Sequence, residues 1–207
     1  RINMKENNQP IGIFDSGLGG LTVVKELQQI MPKESFIYFG DIKNLPYGNK
    51  NPQTILKYSK AISKFLFKQK IKCLIIACNT ASAVAFPTLR NLFSIPVYNV
   101  IDPCIYHAIK TTKSNEVMVI GTETTIKSQV YLKKIYEKES KIKIISQACP
   151  LFVSIVEENL IQEQFTEQII KFYLQSIKKN SVDTLILGCT HYPLLAEKIQ
   201  QFIGNQI

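Results

Sequence analysis

Short apolar runs alternate with stretches of helical spacing along the whole chain of 207 residues, and this alternation limits the fold more than any other feature. Four apolar runs in the first half and three in the second have the length of strands. The predicted strands are residues 11–14, 36–39, 74–77, 97–100, 117–120, 142–146 and 184–187. The predicted helices are residues 21–31, 53–69, 81–93, 126–139, 152–160, 164–179 and 193–202. Strands and helices that alternate in this way form parallel sheets with helices on both faces, so the sequence predicts an α/β fold.

The scheme repeats, because the second half places the same kinds of loop after its strands as the first half does. In "IIACNTASA" the third predicted strand runs into Cys78, and in "LILGCTHYP" the corresponding strand of the second half runs into Cys189. This repetition predicts two pseudo-symmetric lobes, residues 1–100 and residues 101–207, each a mainly parallel sheet flanked by helices. Ligands of such sheets bind beyond the carboxyl ends of the strands, so we expect the active site in a cleft between the lobes.

The two cysteines that follow strands are candidate catalytic groups. A helix is predicted to begin just after each of them, and its N-terminal dipole should favour the thiolates of Cys78 and Cys189. Two opposed thiols suit the inversion of a carbon centre, where a base removes a proton from one face and an acid supplies one to the other. Hydrolysis by Cys189 with His191 as its base is an alternative, but it leaves the Cys78 motif without a role. We interpret the other cysteines as small buried hydrophobic residues: Cys73, Cys104 and Cys149.

Polar residues close to both cysteines extend the candidate site. "DSGLGG" places Asp15 and Ser16 at the end of the first predicted strand, and it has neither the spacing of a dinucleotide fingerprint nor the Lys-Ser/Thr pair of a P-loop. Asp15 is alternatively a helix N-cap. His191 is close enough in sequence to Cys189 to assist its protonation, and it is alternatively a structural histidine. One Cys-x-His pair occurs without a second ligand pair at the usual spacing, so we predict no metal site.

Charge and cysteine content narrow the classes of function. The formal net charge is +9, but nearly all the basic residues are lysines scattered along helical stretches, which indicates a solvated surface rather than a nucleic-acid interface. A basic surface also attracts small anionic substrates. The five cysteines are odd in number and lack disulfide spacing, and the N-terminus has no signal-peptide pattern, so we expect a reducing, cytoplasmic location. No apolar run is long enough to span a membrane.

Five segments together resemble the glutamate racemases of the aspartate/glutamate racemase family. In the order of the family, these segments are "IGIFDSGLGGLTVV", "LPYGNK", "IIACNTASA", "GTETTI" and "LILGCTHYPLL". The resemblance implies a two-lobed α/β enzyme that interconverts L-glutamate and D-glutamate by direct proton transfer at the α-carbon, without a metal or pyridoxal phosphate. It also implies that the D-glutamate serves peptidoglycan synthesis. Members of the family often dimerise, so a homodimer is a further expectation.

The resemblance implies a role for each matching residue. It implies that Cys78 acts on D-glutamate with the help of Asp15, and that Cys189 acts on L-glutamate with the help of His191 and Glu157. The substrate-binding residues that it implies are Asp15, Ser16, Pro46, Tyr47, Gly48, Asn79, Thr80, Thr122, Thr125, Thr190 and His191. From the residues alone, the threonines are alternatively helix caps, and the Tyr-Gly pair alternatively forms a turn.

The sequence departs from the family pattern at several positions. Ile42 and Asn44 stand where the family often has a hydroxyl residue and an arginine. Ser154 stands where a proline is usual, so Glu158 is an alternative to the adjacent Glu157. Family members also run on for several tens of residues that complete the first lobe, and we expect that lobe to be incomplete without them. The alternatives to a glutamate racemase are a racemase of aspartate or a related amino acid, and a non-catalytic amino-acid-binding or regulatory protein of the same fold.

Overall fold

Parallel strands pair into two separate sheets, one in each half of the chain. The computed structural model describes residues 8–207, without the side chains of residues 178 and 179, and residues 1–7 of the predicted first lobe lie outside this range. The chain divides into two units, Arg1–Val100 and Ile101–Ile207. Every strand pair in the described part of the chain is parallel, and helices connect the strands, so the predicted α/β fold with helix-flanked parallel sheets is confirmed.

The first unit contains a four-stranded sheet. Its strands are β1 (Ile11–Asp15), β2 (Phe36–Gly40), β3 (Cys73–Ile76) and β4 (Val97–Asn99). Its helices are α1 (Leu21–Ile30), α2 (Pro52–Lys68) and α3 (Asn79–Leu89), and short 3-10 helices span Ile42–Asn44 and Tyr47–Asn49. The spatial order of the strands is β2-β1-β3-β4. The central position of β1 buries all five of its residues, which explains why its sequence has no alternation of polar and apolar residues.

The second unit contains a three-stranded sheet in the order β6-β5-β7. These strands are β5 (Glu116–Gly121), β6 (Lys143–Ala148) and β7 (Thr184–Gly188). The helices are α4 (Ile101–Thr111), α5 (Glu123–Lys127), α6 (Val130–Lys138), α7 (Leu151–Glu157), α8 (Gln164–Leu174) and α9 (Ala196–Ile203), with 3-10 helices at Gln175–Lys179 and Tyr192–Leu195. The first three strands of each unit therefore share one order, in which the first strand lies between the second and the third.

The register of the strands brings the loops that follow them to one edge of each sheet. In the second sheet, Gly121 of β5 pairs with Ala148 of β6 and with Gly188 of β7, so the three strands end at the same level. In the first sheet, Asp15 of β1 pairs with Gly40 of β2 in the same way. The loops after the strands consequently begin side by side within each unit, where parallel sheets bind their ligands.

The structure differs from the sequence-based prediction in several helical segments, among them the predicted helix at 164–179, whose last five residues form a 3-10 helix. The sequence pattern does not predict α4, because Pro103 suggests a break, but this proline lies in the first turn, where a helix does not need its N–H group. The predicted helix at 126–139 is divided into α5 and α6, since Gln129 adopts a left-handed φ of 58°. The predicted helix at 193–202 begins as a 3-10 helix before α9. Across residues 8–207, no helix is both long and apolar enough to cross a membrane.

Candidate active site

The carboxyl end of β1 holds Asp15 in a fully buried position. Its Oδ2 accepts a hydrogen bond of 2.9 Å from the backbone N–H of Gly17. The Tyr38 hydroxyl of the neighbouring strand donates to the Gly17 carbonyl at 2.7 Å, which fixes the same turn from the other side. A Cβ atom at Gly20 would lie 2.5 Å from the Cβ of Asp15, so only glycine allows α1 to begin this close to the carboxylate. The "DSGLGG" segment is therefore built around the Asp15 side chain.

Cys78 lies two residues beyond β3 and caps the N-terminus of α3. Its sulfur accepts a hydrogen bond of 3.4 Å from the N–H of Ala81, and its thiol donates to the Ser16 Oγ at 3.5 Å. The side chain is buried, and the next two residues, Asn79 and Thr80, are buried as the first residues of α3. The structure therefore brings the Cys78 motif to the turn that follows β1, as the shared sheet edge predicts.

The Cys78 thiol is harder to ionise than a free cysteine. Burial raises its pKa from 9.0 to about 11, and the negative charge of Asp15 adds to this effect. In the ionised form, hydrogen bonds donated to the sulfur by the Ser16 hydroxyl and by the N–H groups of Ala81 and Ser16 oppose the increase without cancelling it. The start of α3 favours the Cys78 thiolate through the Ala81 N–H, as the sequence predicts, but desolvation by burial outweighs this effect and leaves the pKa raised.

A second loop of the first unit carries the predicted residues of the "LPYGNK" segment. Tyr47 is buried, whereas Pro46 is exposed and Gly48 is half-buried. The Tyr47 hydroxyl donates to the Asp41 Oδ2 at 2.6 Å, and the Asn44 amide donates to the Asp41 Oδ1 at 2.9 Å. The turn predicted for this segment is present as the 3-10 helix Tyr47–Asn49.

The Tyr47 hydroxyl is buried among acidic groups, which make it harder to ionise. Its pKa lies far above the usual value of 10, first through burial, then through the hydrogen bond to Asp41 and the negative charges of Asp41, Cys78 and Asp15. Sequence reasoning missed Asp41, although a signal existed, since this acidic residue directly follows β2 as Asp15 ends β1.

The second unit presents Cys189 directly after the last residue of β7. The Cys189 Sγ lies 3.7 Å from the Nδ1 of His191, and the His191 Nε2 forms a hydrogen bond with the Glu157 Oε1 at the end of α7. This hydrogen bond identifies Glu157, rather than the adjacent Glu158, as the acidic residue that the structure brings to the histidine. Gly188 lets the loop leave the sheet here, because a Cβ atom at this position would lie 2.6 Å from the Ile120 carbonyl oxygen.

The threonines predicted to bind substrate are buried at the same edge of the second sheet. Thr122 caps α5, since its Oγ1 accepts a hydrogen bond of 3.3 Å from the N–H of Thr125. The two threonine hydroxyls are 2.9 Å apart. Thr190 lies between Cys189 and His191 and is also buried. The capping role is thus present for Thr122, which lies directly after the last residue of β5.

Each unit supplies a buried thiol together with groups that can hold or pass on a proton. In the first unit these groups are the carboxylate of Asp15 and the hydroxyl of Ser16, and in the second they are His191 and Glu157. Among residues 8–207, no three His, Cys, Asp or Glu side chains are grouped so as to hold a metal ion. The chemistry that these side chains themselves offer is proton transfer at a sulfur atom.

Comparison with known proteins agrees with this geometry. The family model described as Asp/Glu/Hydantoin racemase matches residues 17–207. The chain belongs to this family. A glutamate racemase of Geobacter metallireducens is 47% identical over 197 residues, which are 95% of this chain and 73% of that relative. The family resemblance expected from the five sequence segments is therefore confirmed.

Solved structures of racemases have the same fold. A glutamate racemase isoform from Bacillus anthracis is 40% identical and has a TM-score of 0.95, with 98% of this chain and 76% of that chain covered. A glutamate racemase from Francisella tularensis, solved in complex with D-glutamate, is 43% identical with a TM-score of 0.90, covering 95% of this chain and 74% of that chain. The α/β architecture of this racemase is thus the one found in its solved relatives.

Proposed function

We propose that this chain is a glutamate racemase that moves the α-proton of its substrate by means of two thiols, Cys78 and Cys189. One observation carries the proposal: each unit has a buried cysteine after its third strand, next to its own proton partner. The relatives named above are glutamate racemases, which supports glutamate as the substrate. The chain itself contributes equivalent thiols from two units, as a reaction that works on both faces of one carbon requires.

In the proposed reaction, the Cys189 thiolate removes the α-proton of L-glutamate and becomes a thiol. The electron pair left on the α-carbon then takes the proton of the Cys78 thiol on the opposite face, which gives D-glutamate and leaves Cys78 as a thiolate. The same steps in reverse convert D-glutamate to L-glutamate. The high pKa of Cys78 supports this assignment, because a thiol that keeps its proton is a suitable acid for the second step.

The neighbouring residues have distinct parts in this proposal. Asp15 keeps the proton on Cys78 through its negative charge and assists its transfer, and Ser16 holds the sulfur by a hydrogen bond. His191 accepts or returns the proton at Cys189, with Glu157 orienting its ring. The buried hydroxyl and amide groups of Asn79, Thr80, Thr122, Thr125 and Thr190, together with Tyr47 and the chain at Pro46 and Gly48, bind the two carboxylates and the amino group of glutamate.

The proposed setting is the cytoplasm, where D-glutamate would supply peptidoglycan synthesis. The cysteines support this location, since Cys73, Cys78, Cys104, Cys149 and Cys189 are all free thiols, which persist under reducing conditions. The homodimer expected from the resemblance stays a prediction, and sedimentation of the purified chain at several concentrations tests it.

The test is the loss of optical rotation from L-glutamate, followed by circular dichroism without any added cofactor. We expect wild-type protein and a Cys104→Ser control to bring the signal to zero. Cys104 belongs neither to the residues around Cys78 nor to those around Cys189. Cys78→Ser and Cys189→Ser should each abolish racemisation, by at least about a thousandfold, because a hydroxyl is a far poorer base than a thiolate. L-aspartate serves as the comparison substrate, and faster loss of its rotation would assign the chain to the aspartate alternative. Racemisation of glutamate by either serine variant at the wild-type rate would refute the two-thiol mechanism.

A further inference from the structure

Tyr192 follows His191 directly and lies in none of the sets of residues predicted from the sequence. Its side chain is fully buried. Its backbone N–H donates to the Cys189 carbonyl at 3.1 Å, and its hydroxyl donates to the Cys149 carbonyl at 2.8 Å. Burial, followed by the negative charges of Cys189 and Cys149, raises its pKa well above 10, so the hydroxyl keeps its proton and remains a donor. Tyr192 therefore joins the Cys189 loop to the loop that follows β6.

Two backbone hydrogen bonds hold Cys149, whose carbonyl accepts the hydrogen bond from the Tyr192 hydroxyl. The Cys149 N–H donates to the carbonyl of Gly121 at the end of β5, at 2.9 Å, and the Cys149 carbonyl also accepts the N–H of Phe152 at 3.1 Å. The carbonyl that Tyr192 binds is thus held at the edge of the sheet and at the start of α7. Movement of α7 relative to the Cys189 loop would break this shared contact.

The ring of Tyr192 makes a second connection to the same helix. It packs edge-to-face against Phe152 of α7, with ring centroids 5.3 Å apart, and Phe152 packs in the same way against Tyr173 of α8. Edge-to-face pairs of this kind stabilise the packing beyond the area that they bury. Because α7 ends at Glu157, Tyr192 holds the helix that presents the carboxylate to the histidine.

We propose that Tyr192 is the positioning residue that holds His191 between Cys189 and Glu157. This inference rests on the proposed function, in which these three residues handle the proton of L-glutamate. These contacts form a closed circuit. Cys189 contacts His191, and His191 binds Glu157 at the end of α7. Phe152 of the same helix packs on Tyr192, whose N–H binds the Cys189 carbonyl. The Tyr192 hydroxyl sets the distance between the Cys189 loop and α7. A displacement of about 1 Å in such a site can reduce a rate about a hundredfold.

The test uses Tyr192→Phe, which keeps the ring packed on Phe152 and removes only the hydroxyl. The control is Tyr136→Phe, a hydroxyl deletion at a tyrosine of α6 that is 66% exposed. Since the two enantiomers of glutamate have equal free energies, kcat/KM must fall by the same factor in both directions, and we expect a loss of about tenfold. Rates alone therefore do not identify the impaired step, and isotope effects are needed.

Primary deuterium isotope effects on kcat/KM locate the step. If Tyr192→Phe slows proton removal by Cys189, the effect with α-deuterated L-glutamate rises, because that step becomes more rate-limiting, and the effect with α-deuterated D-glutamate falls. Tyr136→Phe should leave both effects at the wild-type values. Isotope effects in Tyr192→Phe that stay at the wild-type values, or that change in the opposite sense, would overturn the inference.

A second readout is independent of catalysis. The chain has two histidines, His191 and the exposed His107 of α4, so the imidazole nitrogen resonances of each are readily assigned. We expect Tyr192→Phe to shift the His191 resonances and to leave those of His107 unchanged, and unchanged His191 resonances in a folded variant would also overturn the inference. Failure of the wild-type protein to racemise glutamate would instead contradict the proposed function, and the NMR comparison would still decide the positioning role.

Discussion

At the scale of single residues, the two thiols differ in what surrounds them. Cys78 has a carboxylate and a hydroxyl as neighbours, whereas Cys189 has an imidazole backed by a carboxylate. Burial raises the pKa of Cys78 to about 11, and the adjacent negative charge of Asp15 contributes to that increase. In the proposed reaction this asymmetry makes Cys78 the protonated partner before L-glutamate reacts.

The effect of Asp15 on Cys78 is directly measurable. Replacing Asp15 by Asn removes a negative charge that opposes ionisation, so the pKa of Cys78 should move down from about 11 toward the free-cysteine value of 9.0. The measurement is the pH titration of the cysteine 13Cβ resonances in selectively labelled protein, with Cys78 assigned through its serine variant.

Cys149 provides the internal control for this titration. Burial alone raises its pKa, to about 12, and the residue lies in the second unit, so Asp15→Asn should leave its titration unchanged. If the midpoint of Cys78 stayed in place or rose in the variant, the charge of Asp15 would not act on this thiol in the way proposed.

Residues whose partners are close in sequence, or that follow a strand, are predictable from the sequence. Asp15, Cys78 and Cys189 stand at the ends of apolar runs, and the pattern alone indicates that they share sheet edges. Tyr192 is not predictable, since its hydroxyl binds a carbonyl 43 residues away. The high pKa of Cys78 is also not predictable, because burial is a property of the folded unit.

At the scale of elements, α2 contains two serines whose side chains are buried in the core of the first unit. Ser59 and Ser63 lie one helical turn apart and are fully buried, and neither hydroxyl has a hydrogen-bond partner in the described part of the chain. A buried hydroxyl without a partner loses its bonds to water and gains nothing in return. These positions therefore reduce the stability of the first unit.

Replacing Ser63 by Ala should raise the free energy of unfolding by about 1 kcal/mol, because it removes a buried, unpaired hydroxyl. The measurement is urea denaturation. Alanine also favours the helix intrinsically, so the matched control is Ser154→Ala on the exposed side of α7, which gains only this propensity, about 0.5 kcal/mol. A smaller gain at Ser63 than at Ser154 would show that the buried hydroxyl has found a partner or that its cavity is costly.

The elements themselves follow from the sequence to an uneven degree. The seven strands are predicted to within about two residues at each end, since each is an apolar run bounded by loop residues. The interruption at Gln129 is not predictable, because a left-handed glutamine has no sequence signature of its own. The helix α4 is missed because a proline in a first turn resembles a proline that ends a helix.

At the scale of the whole molecule, the two units repeat one arrangement of three strands and place a cysteine after the third strand of each. The repetition is visible in the sequence, since the same loop chemistry follows corresponding strands. The net charge of +9 is also a property of the whole chain, and it would draw an anionic substrate such as glutamate toward the protein. That both thiols serve one substrate is the central claim, and it requires a measurement of the reaction.

The most direct measurement is the fate of the α-hydrogen when the protein acts on L-glutamate in deuterated water. At early times, the account predicts that the D-glutamate formed carries α-deuterium while the remaining L-glutamate keeps its α-proton, because one thiol removes the hydrogen and the other delivers a solvent-derived one. The enantiomers are separated and their α-positions examined by mass spectrometry. D-glutamate that retains the original α-proton, or L-glutamate that gains deuterium as fast as D-glutamate forms, would contradict transfer between two thiols on opposite faces.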